Sequence, residues 1–143
     1  MSPRALYPYT VLVVDDDPSV LATYRRLLGR SGYQAMAVDD PWRVLNGRYA
    51  DQAIDLVLLD YKMPGMDGLT LLAELRRREC RAKCVLLSAF INEDVEQRAR
   101  NLGVERLLEK PVDAAALLRV LQELLPARVE RPAEVALNYD RGG

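Results

Sequence analysis

The sequence predicts an α/β domain built on a five-stranded parallel sheet, doubly wound, with helices on both faces. Short apolar runs at 10–14, 33–38, 54–59, 84–87 and 106–108 alternate with stretches of helical spacing, the rhythm of five βα units. The runs are almost continuously apolar, as in Val-Leu-Val-Val and Ile-Asp-Leu-Val-Leu-Leu, which suits strands covered on both faces. At 143 residues, half of them apolar, the chain can bury one ordinary core without disulfides or structural metals.

Taken in order, the first run is β1, and with the third, β3, it belongs in the middle of the sheet. Asp17-Pro18 supplies an N-cap and a proline at the first helical position for α1. There Leu21, Tyr24, Leu27 and Leu28 form an apolar stripe and Gly32 can end the helix. The second run, β2, is followed by the same opening, Asp40-Pro41, before α2. Beyond β3, Asp67 can cap α3 with its Leu69, Leu71, Leu72 and Leu75; beyond the fourth run, β4, Asn92 can cap α4, which ends near Gly103. The fifth run, β5, leads to Asp113, the cap of an α5 that runs through Leu125 until Pro126 stops it. The domain is thus expected at 9–126. Residues 127–143 have weak periodicity, mixed charge and a terminal Gly-Gly, and read as a mobile tail too short for an output domain. Beyond the βα rhythm the sequence holds no internal repeat and no low-complexity tract.

Composition removes several function classes. Twenty basic and 21 acidic residues leave a net charge of −1, which argues against a field that recruits nucleic acid or an anionic membrane. No apolar run approaches the roughly 20 residues a bilayer span needs, and the opening Met-Ser-Pro-Arg lacks a signal-peptide core. Cys80 and Cys84, with no histidine to join them, cannot complete a tetrahedral zinc site and are expected unpaired in a reduced, cytoplasmic setting. The absence of histidine also excludes Ser-His-Asp and Cys-His catalysis, His-ligated metals and phosphohistidine carriers. The basic cluster Arg76, Arg77, Arg78, Arg81 and Lys83 reads as a solvated helix end, where cations complement the negative terminus. Trp42 and Tyr24 read as packing residues.

The chemistry gathers at the strand ends. In open α/β sheets ligands bind at the carboxyl ends of the strands, where strand order reverses. The polar residues there are Asp15, Asp16 and Asp17 after β1, Asp60 after β3, Ser88 after β4 and Lys110 after β5. An aspartate in such a place is also a natural helix cap, the reading that fits Asp17 best. Carboxylates crowded at one edge raise their own proton affinities unless a cation sits among them, and Mg²⁺ is the natural hard divalent choice. A carboxylate, a hydroxyl and an ammonium converging on that ion form a phosphoryl-transfer constellation.

The segments Val-Leu-Val-Val-Asp15-Asp16-Asp17-Pro, Leu-Val-Leu-Leu-Asp60-Tyr-Lys-Met-Pro64-Gly-Met-Asp-Gly68, Val-Leu-Leu-Ser88-Ala89 and Leu-Leu-Glu-Lys110-Pro111 resemble the response-regulator receiver family, in order and at its spacing, from about residue 9 to 126. The resemblance implies a flavodoxin-like sheet of order 2-1-3-4-5. It makes Asp60 the phosphoacceptor, Asp16 a direct Mg²⁺ ligand, Asp15 a ligand acting mainly through water, and the Lys62 backbone carbonyl a further ligand. Ser88 becomes the hydroxyl that swings toward the phosphoryl group and Lys110 its cationic contact, with Lys110-Pro111 cis. One position departs: the family commonly has Tyr or Phe three residues before the lysine, where this chain has Leu107, so an aromatic flip is not expected as the readout.

The resemblance further implies a sensor histidine kinase or histidine phosphotransfer protein as phosphodonor, and a downstream protein target bound at the α4-β5-α5 face, which in the family also forms homodimers. Lys62 and Phe90 stand where the family flanks the approach of hydrolytic water; a bulky Phe90 that cannot orient water and a cationic Lys62 imply a long-lived acyl phosphate. Two other readings compete. Asp15-Asp16-Asp17 contains the Asp-x-Asp of haloacid dehalogenase phosphatases, but the later acidic pair and cap of that family are missing. A pseudo-receiver would keep the fold without phosphorylation, against which all five site residues are present. The glycine-rich nucleotide loops do not occur.

Overall fold

A computed structural model describes residues 8–47, 49 and 52–127. Apart from Ala127, the expected tail lies outside the described residues. Five strands, β1 (Thr10–Val14), β2 (Gln34–Val38), β3 (Leu56–Asp60), β4 (Lys83–Ser88) and β5 (Arg106–Glu109), alternate with α1 (Pro18–Arg30), α2 (Pro41–Asn46), α3 (Gly68–Arg77), α4 (Glu93–Asn101) and α5 (Ala114–Leu124). All four strand pairs are parallel and the order is β2-β1-β3-β4-β5, as expected. None of the described helices is long and apolar enough to cross a membrane.

The continuous apolar runs are explained by two cores. On one face Leu12, Val14, Val57, Leu59 and Leu86 pack with Val44 and Leu45 of α2, the four leucines of α3, and Val95 and Ala99 of α4. On the other, Val11, Val13, Leu56, Leu58, Val85 and Leu87 pack with Leu21 and Leu28 of α1 and Leu117 and Leu121 of α5. Successive strand residues point to opposite faces, so a strand covered twice must be apolar at every position.

Each helix starts where its cap was expected. The side chains of Asp17, Asp40, Asp67, Asn92 and Asp113 accept from the backbone N–H groups of Ser19, Trp42, Thr70, Val95 and Ala116, satisfying donors that a first turn leaves open.

Some expectations need correction. The third strand begins at Leu56 and includes Asp60; Asp55 lies just before it, where its carboxylate accepts from Thr10 N–H at 2.8 Å. Trp42 is not a packing residue: it is 51% exposed at the start of the short α2, with its indole nitrogen beside Gly65 of the β3–α3 connection. The basic cluster is not simply solvated. Arg76 donates to the carbonyls of Cys80 and Ala82, at 3.0 and 2.7 Å, and to Leu102 O at 3.3 Å, tying α3 to the loops before β4 and β5. Arg78 donates to Leu45 O at 2.6 Å and Lys83 to Leu124 O at 2.7 Å. Cys84 is buried and Cys80 half-buried, both as free thiols, and burial pushes the Cys84 thiol up to about 12, so it stays protonated.

Gly68 fits where a side chain would not. Its N–H donates to Tyr61 O at 2.7 Å, and a Cβ there would collide with the Asp60 carbonyl oxygen and come within 3.1 Å of Leu59 Cγ. Alanine gains helix propensity over glycine, but overpacking against a backbone costs about 1–3 kcal/mol and outweighs it. Gly68→Ala is therefore expected to lower the urea midpoint of unfolding; a midpoint equal to or above wild type would show that the β3–α3 turn yields without cost.

Candidate functional site

Strand register sets the site. Val14 pairs with Leu59, so Asp15 and Asp60, one residue further along each strand, emerge side by side at the carboxyl edge. Asp60 is level with Leu87, and Ser88 with Glu109, which brings Ser88 and Lys110 to the same edge. The order reverses between β1 and β3, so the opening falls at the switch point of the sheet. The buried polar or charged residues among those described are Asp15, Asp60 and Ser88, all of them here.

Lys110 Nζ lies 2.7 Å from Asp60 Oδ1 and 3.6 Å from Asp15 Oδ2. Asp15 Oδ1 accepts from Asp17 N–H at 2.9 Å, but Asp15 Oδ2 is buried without a hydrogen-bond partner. Burial pushes the Asp15 carboxyl upward, with Asp16 and Asp17 adding to it, against the Asp17 N–H and Lys110. Asp60 is raised for the same first reason, opposed by Lys110 and reinforced by Asp15 and Asp16. Burial works to lower Lys110, yet its hydrogen bond to Asp60 and the two carboxylate charges raise it overall, so it remains an ammonium. Asp17 is instead pulled down by the hydrogen bonds from Ser19, as its capping role requires.

These residues fit a hard divalent cation. Asp15, Asp16 and Asp60 can each place one carboxylate oxygen within 4.8 Å of the others', and Asp15 Oδ2 lacks the hydrogen bond that buried oxygens normally have. Mg²⁺ takes one or two carboxylates and keeps several waters, which the exposed position of Asp16 allows.

The remaining site residues are close by. Ser88 Oγ donates to Phe90 O at 2.5 Å and accepts from Phe90 N–H at 3.0 Å, so the hydroxyl is engaged by the turn after β4. Lys62 is exposed in the β3–α3 connection, where buried Met63 and Met66 anchor the loop, and its Nζ lies 5.8 Å from the centroid of the Phe90 ring. Leu107 is half-buried on β5 opposite Leu86. Lys110-Pro111 is cis.

One cluster went unread in the sequence. Arg98 of α4 donates to Tyr61 Oη at 3.4 Å, to Asp67 Oδ2 at 3.4 Å and to Thr70 Oγ1 at 3.4 Å, linking α4 to the residue after Asp60 and to the cap of α3. Asp67 carried a capping signal that hid this second use, and nothing in the spacing of Arg98 points to it.

Residues 11–122 match the profile of the response regulator receiver domain family. The chain is 34% identical over 120 residues to a chemotaxis protein CheY of Treponema pallidum, covering 82% of this chain and 83% of that one. It is 33% identical over 113 residues to a putative two-component response regulator of Arabidopsis thaliana, covering 78% of this chain but 18% of that longer protein. Among solved structures it is similar to one described as a CheX-CheY-BeF3-Mg²⁺ complex from Borrelia burgdorferi, with a TM-score of 0.72, 27% identity, and coverage of 82% of this chain and 89% of that one.

The raised carboxyl of Asp15 has a consequence for stability. A group whose pKa is raised by folding favours the fold below its unfolded value, near 3.8, and loses that contribution as pH rises through the folded value. At neutral pH its ionised form therefore works against the fold, while asparagine keeps an acceptor for Asp17 N–H without the charge. Metal-free Asp15→Asn is expected to be more stable than wild type at pH 7, with the gain shrinking toward pH 4. Added Mg²⁺ should raise the melting temperature of wild type more than that of the variant. A variant less stable than wild type at pH 7 in chelator would contradict a strained acid cluster.

Proposed function

The chain belongs to the response regulator receiver family, and we propose on that premise that it takes a phosphoryl group onto Asp60 from a protein phosphohistidine and passes the change to a partner protein. The observation that supports this most directly is the placement of Lys110 between Asp60 and Asp15, with Asp16 beside them. Membership of this family, a family of signalling domains, also sets aside the phosphatase reading.

Asp15, Asp16, Asp60 and the Lys62 carbonyl would hold Mg²⁺, which neutralises the carboxylates and the incoming phosphoryl oxygens when bound. Asp60 attacks phosphorus as the donor's nitrogen–phosphorus bond breaks, giving an acyl phosphate. Lys110, already an ammonium, contacts a phosphoryl oxygen without moving far or losing its proton. Ser88 leaves the Phe90 backbone and donates to another. The phosphodonor is a sensor histidine kinase or a histidine phosphotransfer protein in the cytoplasm. The altered α4-β5-α5 face binds the downstream target or a second copy of the chain, by a shift of a pre-existing equilibrium.

Two measurements test this reading. Acetyl phosphate with Mg²⁺ is expected to label wild type once and Asp60→Asn not at all; label retained in Asp60→Asn would place the acceptor elsewhere. The acyl phosphate is expected to be long-lived, because Phe90 cannot orient a hydrolytic water and such positioning is a large part of catalysis. Phe90→Glu and Lys62→Asn should shorten the half-life at saturating Mg²⁺, and unchanged half-lives in both would show that neither residue guards the bond.

A further inference from the structure

We propose that Phe90 is a positioning residue that holds two ligands of the phosphoryl group in reserve, Lys62 on its ring and Ser88 on its backbone. The inference rests on Asp60 being the acceptor. Ser88 Oγ makes both of its hydrogen bonds to the Phe90 main chain, at 2.5 and 3.0 Å. Lys62 Nζ stands 5.8 Å from the ring centroid, within the roughly 6 Å at which the negative face of an aromatic ring attracts a cation. The two groups come from different connections, one following β3 and the other at the end of β4, and they meet at this one residue.

Core packing does not account for the position of Phe90. The side chain is 68% exposed and belongs to neither core cluster. A ring left in water can still serve as a weak resting place for a cation, and weakness is what a reserve requires. A phosphoryl dianion attracts an ammonium by full charge, whereas the ring offers only a quadrupole, so Lys62 moves when the acceptor is loaded. Ser88 moves because a hydrogen bond to a charged phosphoryl oxygen is stronger than one to the neutral Phe90 carbonyl, and its departure removes the two hydrogen bonds it makes to the Phe90 main chain. That turn leads directly to Asn92, the N-cap of α4, so the release of one residue reaches the next helix without an aromatic at position 107.

The energetics set the size of the effect. A ligand group that must first leave a resting partner binds more weakly by the strength of that contact. An exposed cation–π contact corresponds to about a 2- to 5-fold change in affinity. Removing the ring's π face should therefore tighten binding of a phosphoryl mimic, and only while Lys62 is present to be released.

The test is a titration of the full chain with beryllofluoride at saturating Mg²⁺, followed by fluorine NMR of the bound species. Phe90→Leu keeps apolar bulk without the π face and is expected to bind about 2- to 5-fold more tightly than wild type, whereas Phe90→Tyr keeps the ring and should stay near wild type. In a Lys62→Met background, Phe90→Leu should change nothing. Unchanged or weaker binding by Phe90→Leu, or the same gain with Lys62 absent, overturns the reserve. Failure of wild type to bind beryllofluoride at all would instead bring down the acceptor reading beneath it.

Discussion

Two buried carboxylates share one ammonium at the carboxyl edge of the sheet, and the character of the site follows from that imbalance. Asp15 and Asp60 are placed side by side by the pairing of Val14 with Leu59, and both are buried there. Removing a charge from water carries a penalty of several kcal/mol in practice, and Lys110 can offset it for one carboxylate well and for the other only at longer range. The remainder must be met by a proton or by a cation. Raised proton affinity at both aspartates is the first answer, and a divalent ion is the second. A domain built only for stability would have filled this edge with apolar side chains, as it has filled everything beneath it.

The constraint also explains why so much was legible in the sequence. A parallel sheet covered on both faces forces continuous apolar runs, and caps at Asp17, Asp40, Asp67, Asn92 and Asp113 mark the helix starts with residues whose side chains must bond specific N–H groups. Because the runs end where the sheet ends, the polar residues that follow them mark its carboxyl edge. Lys110 against Asp60 is that expectation realised as a 2.7 Å contact.

What stayed hidden has a common physical cause. Arg76, Arg78 and Lys83 bond the main-chain carbonyls of Leu102, Leu45 and Leu124, far along the chain, and a carbonyl acceptor leaves no trace in residue identity. The resting position of Ser88 is of the same kind, since both of its partners are main-chain atoms of Phe90. Trp42 is a different case: composition says an aromatic ring is apolar, but not that this one, on a six-residue helix beside Gly65, stays half in water. Asp67 shows a third case, a cap whose side chain also meets Arg98 of α4.

The helix on which these contacts converge is the one held by least apolar packing. α3 buries four leucines, whereas α4 buries only Val95 and Ala99 and otherwise carries charged and amide side chains. An element with few apolar contacts has a low cost of displacement, so polar contacts at its ends weigh more in setting its position. Its N-terminus follows the Phe90 turn, and its middle reaches Tyr61, the residue bonded to Asp60, through Arg98. Leu107 can offer neither a hydrogen bond nor a ring to couple β5 to Ser88. In this chain the position of α4 therefore rests on main-chain contacts before its N-terminus and on guanidinium contacts from Arg98 within it, while the leucine-rich core beneath α3 holds Asp60 in register.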